Sequence, residues 1–153
     1  MPSLDHRVPP PALAAVLAAC MWGLSHVLPG VAVPTPLRVA FTVAIAFTGL
    51  SFGVAGTLAF RKARTTVNPL RPERASSLVL TGVYRISRNP MYVGMALALL
   101  SWAVYLASPL ALLGPALFVA YITRFQIKPE EQALLAKFGR PYEQYMARVR
   151  RWI

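Results

Sequence analysis

At 153 residues the chain has room for a single domain, and 56% apolar residues, only 14% charged ones and a mean hydropathy of +0.51 exclude an ordinary soluble protein. The net charge of +11 suits a protein lying beside anionic headgroups, and it does not signal nucleic acid, whose recognition needs an exposed soluble face. Cys20 is the one cysteine, so neither a disulfide framework nor a cysteine metal site can be built.

In chain order, the first apolar run is Pro11 to Leu28, uncharged, and as a helix its 18 residues rise about 27 Å, enough to cross a bilayer. Within it Leu17-Ala18-Ala19-Cys20 matches the lipobox of bacterial lipoprotein signals, but Met21, Trp22 and Gly23 continue the apolar run where a mature lipoprotein turns polar, so a span is expected. The second run, Val39 to Phe60, carries Gly49, Gly53 and Gly56, a small-residue face suited to close helix contact. Runs three and four, Met91 to Ala107 and Pro109 to Phe125, are separated only by Ser108-Pro109 and predict a tight helical hairpin. Beyond Ile127 an amphipathic tail follows. Pro129 begins one helix with Glu130 and Glu131 in its first turn, Gly139 ends it, and Pro141 opens another.

The fold class expected is an all-α integral membrane protein of four transmembrane helices with a cytosolic C-terminal amphipathic helical tail. Residues 1–60 supply two N-terminal spans, and residues 61–153 hold the hairpin and the tail within the same structural domain. Segments 61–90 and 124–153 together contain 14 of the 16 Lys and Arg, which places both, and both termini, on the cytoplasmic side, most simply of a bacterial inner membrane.

Polar chemistry gathers at the ends of the hairpin. Before it stands GVYRISRNPMYVG, residues 82–94, with Arg85, Arg88, Asn89 and Tyr92. After it stands Glu130-Glu131, the only adjacent acids in a chain that otherwise has Asp5, Glu73 and Glu143. Pro90 bars Asn89 from helical geometry and leaves its backbone polar groups free for a ligand. Structural readings stand beside these: the acids as helix caps worth about 0.3 to 1 kcal/mol each, Arg88 as a headgroup anchor, Tyr84 and Tyr92 as interfacial aromatics.

The pattern G-x-Y-R-x-x-R-N-P-x-Y-x-G, preceded by Asn68-Pro69 and followed across a hydrophobic hairpin by E-E-x-x-L-x-x-x-F-G-x-x-Y-x-x-Y, resembles the membrane methyltransferases related to isoprenylcysteine carboxyl methyltransferase and phosphatidylethanolamine N-methyltransferase. The resemblance covers Thr66 to Ile153. It implies S-adenosylmethionine as cofactor, bound by Tyr84, Arg88, Asn89, Pro90, Tyr92, Gly94, Glu130, Glu131 and Tyr142, in a cofactor-binding core formed by residues 61–153. The chain departs from the pattern of the family it resembles at Asn89, where eukaryotic members usually have His, and at Gly94-Met95-Ala96, where phospholipid methyltransferases show G-x-G.

A cationic methyl donor needs carboxylates, which Glu130 and Glu131 provide, and the transfer needs no metal or nucleophilic side chain because the donor is already activated. His6, His26 and Cys20 all lie outside the matched region. The easiest acceptor is therefore an ionised group, a carboxylate or thiolate. Glu131 is the carboxylate placed at the reaction, Arg148 or Arg150 can orient an acceptor carboxylate, and Tyr145 or a Glu serves if the acceptor arrives protonated. The expected acceptor is lipophilic, an isoprenylcysteine-type or other lipid carboxylate, with a phospholipid amine or a small thiol as alternatives; the oligomeric state is open. An NADPH-dependent sterol-reductase-like enzyme is disfavoured by the acidic pair and the missing histidine. A small multidrug transporter is disfavoured because the first three apolar runs hold no ionisable residue.

Overall fold

The computed structural model describes residues 8–27, 30–63 and 78–153. Asp5, His6, Leu28, Thr66, Asn68-Pro69 and Glu73, all used in the sequence reading, lie outside the described residues, as do Arg64, Arg71 and Arg74 of the basic segment 61–90.

Among the described residues there is no strand. Helix α1 spans Pro10–Val27 and runs unbroken through Cys20. Helix α2 spans Thr35–Lys62, longer than its apolar run at both ends, because Arg38 and Arg61 mark where lipid-compatible sequence stops and not where helical hydrogen bonding stops. After a 3₁₀ turn at Gly82–Arg85, helix α3 spans Pro90–Leu106. Ala107 takes a left-handed conformation (φ 49°) and its carbonyl accepts the Val31 N–H at 2.7 Å, which closes the predicted tight turn at Ser108-Pro109 and docks the α1–α2 connection on it.

The sequence predicts a fresh helix at Pro129, and here the structure differs. A 3₁₀ turn at Pro109–Leu112, helix α4 at Leu113–Ile122, a π-helical turn at Thr123–Ile127 and helix α5 at Lys128–Phe138 form one continuous stretch, Pro109–Phe138. Pro129 has no N–H to give the carbonyl four residues back. The chain absorbs the missing bond by widening one turn, with the Lys128 N–H donating to the Thr123 carbonyl five residues back. Gly139 (φ 57°) ends α5 as expected, and helix α6 spans Arg140–Arg148 with Pro141 in its first turn. Only α6 has an amphipathic packing face, burying Tyr142 and Tyr145; α5 buries no residue.

Three helical stretches, Pro10–Val27, Thr35–Lys62 and Pro109–Phe138, are long and apolar enough to cross a membrane, and α3 is a shorter apolar helix of 17 residues. Phe47 and Leu50 of α2 are 70% and 64% exposed, beside exposed Phe41, Val43 and Val54. Such a continuous apolar face is at home in lipid and not in water. Met21, Tyr92, Leu99, Ala103, Ala111, Phe118, Ile122 and Ile127 form the core shared by α1, α3 and the last helical stretch. Two side-chain bonds to backbone pin α3 to its neighbours: Trp102 Nε1 donates to the Ala18 carbonyl at 3.1 Å, and Ser101 Oγ to the Thr42 carbonyl at 3.1 Å.

Helix α2 packs mainly on α3, and glycines set the distance. A Cβ on Gly94 would lie 2.7 Å from the Gly49 carbonyl oxygen and 3.1 Å from the Gly53 nitrogen, while a Cβ on Gly56 would press on Met91 and Pro90. The small-residue face read from the sequence is thus consumed within the chain. Gly94→Ala should lower the thermal stability of the detergent-solubilised protein by about 1 to 3 kcal/mol, because backbone must move. Gly23→Ala, whose Cβ would meet nothing within 4 Å, should not. Equal melting temperatures for the two variants would refute the close α2–α3 contact.

Candidate active site

The segment before α3 is held by its own side chains. Asn89 has φ −131° and ψ 52°, outside helical geometry as the following proline requires, and Pro90 then opens α3. Ser87 is fully buried, and its Oγ accepts the Asn89 N–H at 3.0 Å. Asn89 therefore does not cap the helix. Its Nδ2 turns the other way and donates to the Arg151 carbonyl at 2.9 Å, and the Arg88 N–H donates to the Arg150 carbonyl at 3.0 Å.

Across the hairpin the two acids do different things. Glu130 Oε1 accepts two bonds of 2.7 Å, from the Tyr92 hydroxyl on α3 and from Gln126 Nε2 one turn earlier on the π turn. The wide turn that Pro129 imposes thus carries a partner for Glu130. Glu131 stands between two guanidinium groups. Arg88 Nη2 lies 2.8 Å from its Oε1, and Arg151 grips both oxygens with Nε at 3.0 Å and Nη2 at 2.7 Å. The side chains of Glu131 and Arg88 are 12% and 10% exposed and that of Arg151 34%, so the triad is largely withdrawn from water, where such pairs are stronger than at a free surface. The bond to Glu131 also holds the Arg151 guanidinium more firmly protonated than usual.

The C-terminal residues complete the cluster. Trp152 Nε1 donates to Thr123 Oγ1 on the π turn at 3.1 Å and its ring packs against the core, so the chain end is threaded between the residues before α3 and the helix after the hairpin. The Tyr145 hydroxyl of α6 donates to the Tyr84 carbonyl at 2.7 Å, and Tyr84 meets Phe60 of α2 edge to face at 5.4 Å. Burial pushes Tyr145 up to about 12, against the lowering effect of Arg88, and pushes Tyr84 and Tyr142 up as well. All three stay protonated at neutral pH, and the Tyr145 proton is already engaged.

Of the residues singled out in the sequence, Tyr84, Arg88, Asn89, Pro90, Tyr92, Glu130, Glu131, Tyr142 and Tyr145 come together at this end of the bundle. Gly94 is occupied by contact with α2. Arg148 and Arg150 have exposed side chains, and the guanidinium that enters the cluster is that of Arg151. The sequence reading passed over Ser87, Gln126, Arg151 and Trp152. Gln126 had a signal, the four-residue helical spacing to Glu130. The chain end had none, since a contact between segments about 60 residues apart leaves no periodicity. His26 is elsewhere, its Nδ1 bonded to the Trp22 carbonyl, and no group of three His, Cys, Asp or Glu able to hold a metal occurs among the described residues.

Two features fit a zwitterionic, cationic ligand such as S-adenosylmethionine. Arg88 Nε is a buried donor without a hydrogen-bond partner among the described residues, matched to a carboxylate. Glu130 takes both of its bonds on Oε1, leaving Oε2 without a hydrogen bond among the described residues and matched to a positive charge.

The chain is similar to known proteins over parts of its length. A protein of Haemophilus influenzae described only as uncharacterised is 44% identical over 63 residues, 41% of this chain and the whole of that one. Protein-S-isoprenylcysteine O-methyltransferase B of Arabidopsis thaliana is 35% identical over 80 residues, 52% of this chain but 41% of the plant protein, so the chain spans less than half of that relative. No solved structure matches. The profile of the family described as phospholipid methyltransferase matches residues 37–141, more than half of the chain and inclusive of the α2–α3 contact, the Arg88–Tyr92 segment and the acidic pair: the protein belongs to the phospholipid methyltransferase family of membrane proteins.

Proposed function

We propose that this protein transfers a methyl group from S-adenosylmethionine to a lipophilic acceptor that reaches the site from the bilayer, and that the acceptor atom is a carboxylate oxygen of an isoprenylcysteine-type or similar lipid acid. The observation that carries the reading is the cluster itself. An Arg88 donor and a Glu130 oxygen, both without a hydrogen-bond partner among the described residues, are held by Tyr92, Gln126, Glu131 and the chain end at one pole of a largely apolar bundle.

When bound, S-adenosylmethionine supplies an activated methyl group: a C–S bond breaks as a bond to the acceptor forms, and the sulfonium charge is discharged. The chain's part is placement. Arg88 would take the carboxylate of the methionine moiety, the acidic side of the cluster at Glu130 would face its positive charge, and Tyr84, Tyr142 and Tyr145 would wall the site against water. A carboxylate acceptor is preferred because it arrives ionised, whereas a headgroup amine must first lose a proton. No histidine stands in the cluster among the described residues, and Tyr145, at about 12 with its proton engaged by the Tyr84 carbonyl, is a poor base at neutral pH, so the proton of an amine acceptor would fall to Glu130, the same carboxylate that faces the donor's charge. The plant relative's name favours the carboxylate, and the family's description leaves a phospholipid amine as the alternative.

The same proposal sets four spans, α1, α2, α3 and the first part of Pro109–Phe138, with the cluster and both termini cytoplasmic. At about 25 Å α3 is a short span, and the stretch after it, at about 45 Å, exceeds the hydrocarbon thickness and carries Glu130 and Glu131 beyond it. The concentration of 14 of the 16 Lys and Arg in two segments supports that orientation.

Two experiments test this. In a Cys20→Ser background, a cysteine at Gln144 should resist an impermeant thiol reagent in intact cells while one at Thr35 reacts; the opposite pattern would invert the topology. Purified protein given a deuterated-methyl cofactor and a homologous series of acyl or prenyl acids should show kcat/KM rising with tail length, by at most about fourfold per methylene. Equal turnover of a tailless acid would leave the membrane as an anchor only and favour a small soluble acceptor.

A further inference from the structure

The acidic pair is the feature that sequence reading treats as a unit, with Glu131 as the residue at the reaction, yet the two side chains are in opposite situations. Both oxygens of Glu131 are taken. Oε1 is shared by Arg88 Nη2 and Arg151 Nε, and Oε2 is held by Arg151 Nη2 at 2.7 Å. Two guanidinium groups on one carboxylate leave a surplus positive charge there, an unfavourable place for a cation. Glu130 presents the reverse picture, with neutral donors from Tyr92 and Gln126 on one oxygen and its net charge uncompensated by any ion pair among the described residues.

The source of the second guanidinium matters equally. Arg151 lies in the segment after α6, two positions before Ile153, and its backbone is fixed independently of its side chain. The Arg150 carbonyl takes the Arg88 N–H, the Arg151 carbonyl takes Asn89 Nδ2 at 2.9 Å and Ser87 Oγ at 3.4 Å, and Trp152 is bonded to Thr123. The extended end of the chain is therefore tied at several points to the two segments that flank the hairpin. Its removal would release Glu131, and with it the Arg88 guanidinium that Glu131 steers.

We propose that the two acids divide the work: Arg151, acting through Glu131, is a positioning residue that fixes Arg88 and closes the site with the chain end, while Glu130 is the carboxylate that faces the positive charge of the bound methyl donor. This assignment rests on the cofactor reading above for Glu130 alone; the Arg151–Glu131 coupling stands without it. Asn89 accordingly serves as a latch for the chain end. That role asks for an amide or other donor and not for a group that titrates.

The test uses the full-length protein in detergent, with melting temperature measured without ligand and S-adenosylmethionine affinity measured by calorimetry. Arg151→Gln and Glu131→Gln should each lower the melting temperature and weaken binding, and the double variant should be no worse than the poorer single one in either measurement. Glu130→Gln, which keeps the oxygen that Tyr92 and Gln126 bond, should melt near the wild type and bind about tenfold more weakly or worse. A purely structural Arg151 would lower melting without an affinity loss that depends on Glu131. Additive losses from Arg151→Gln and Glu131→Gln would overturn the coupling, and a Glu131→Gln protein with wild-type melting but lost affinity would make Glu131 the ligand's partner and overturn the division. Failure of the wild type to bind S-adenosylmethionine would instead remove the cofactor reading and Glu130's part in it, while the melting comparison still decided the role of Arg151.

Discussion

One carboxylate joins the polar end of this molecule. Glu131 receives Arg88 from the segment before α3 and Arg151 from the chain end, so three stretches far apart in sequence meet on two oxygen atoms. A partly buried carboxylate between two guanidinium groups is costly to leave half paired, since removing one partner strands desolvated charge. That penalty makes the meeting obligatory and keeps Arg88, Asn89 and Tyr92 in register with Glu130. The cluster is also where an apolar protein with few acids has spent two of the five it owns.

The cluster depends on a purely steric constraint one helix away. Glycines 49, 53 and 94 let α2 and α3 touch along their backbones, and Gly56 gives room to Pro90 and Met91 at the mouth of α3. Because α3 is seated by that contact on one side and by the core of α1 and α4 on the other, its first turn is a fixed platform for Asn89 and Tyr92. The π turn gives the opposing platform. Proline at position 129 widens the helix where Gln126 and Thr123 must reach Glu130 and Trp152, a local irregularity at the point where the fold needs side chains placed off the regular helical path.

Much of this was legible in the sequence, because the signals are local. Apolar length marked the helices, proline marked the starts of α3 and α6, and Gly139 marked the end of α5 through a backbone angle that glycine tolerates. The pattern around Asn89-Pro90 and the adjacent acids marked the cluster. What was not legible is long-range. Nothing in the spacing of Arg151 or Trp152 tells that the chain end returns to Asn89 and Thr123, so the guanidinium was sought at Arg148 or Arg150. Gly94 reads as a ligand contact by its place in a motif, while its neighbour turns out to be the Gly49 backbone. Pro129 reads as a helix start because the rule for proline is about hydrogen bonds, and a π turn satisfies that rule without a break.

The central claim is that the residues on either side of the hairpin and the end of the chain together surround the methyl donor. Ultraviolet cross-linking of methyl-labelled S-adenosylmethionine to the purified protein, followed by peptide mapping, tests it most directly. The account predicts label in peptides from residues 84–92 and from residues 126–152, competed away by S-adenosylhomocysteine. Label confined to α1, to α2 or to the turn at Ser108-Pro109 would place the donor elsewhere and contradict it.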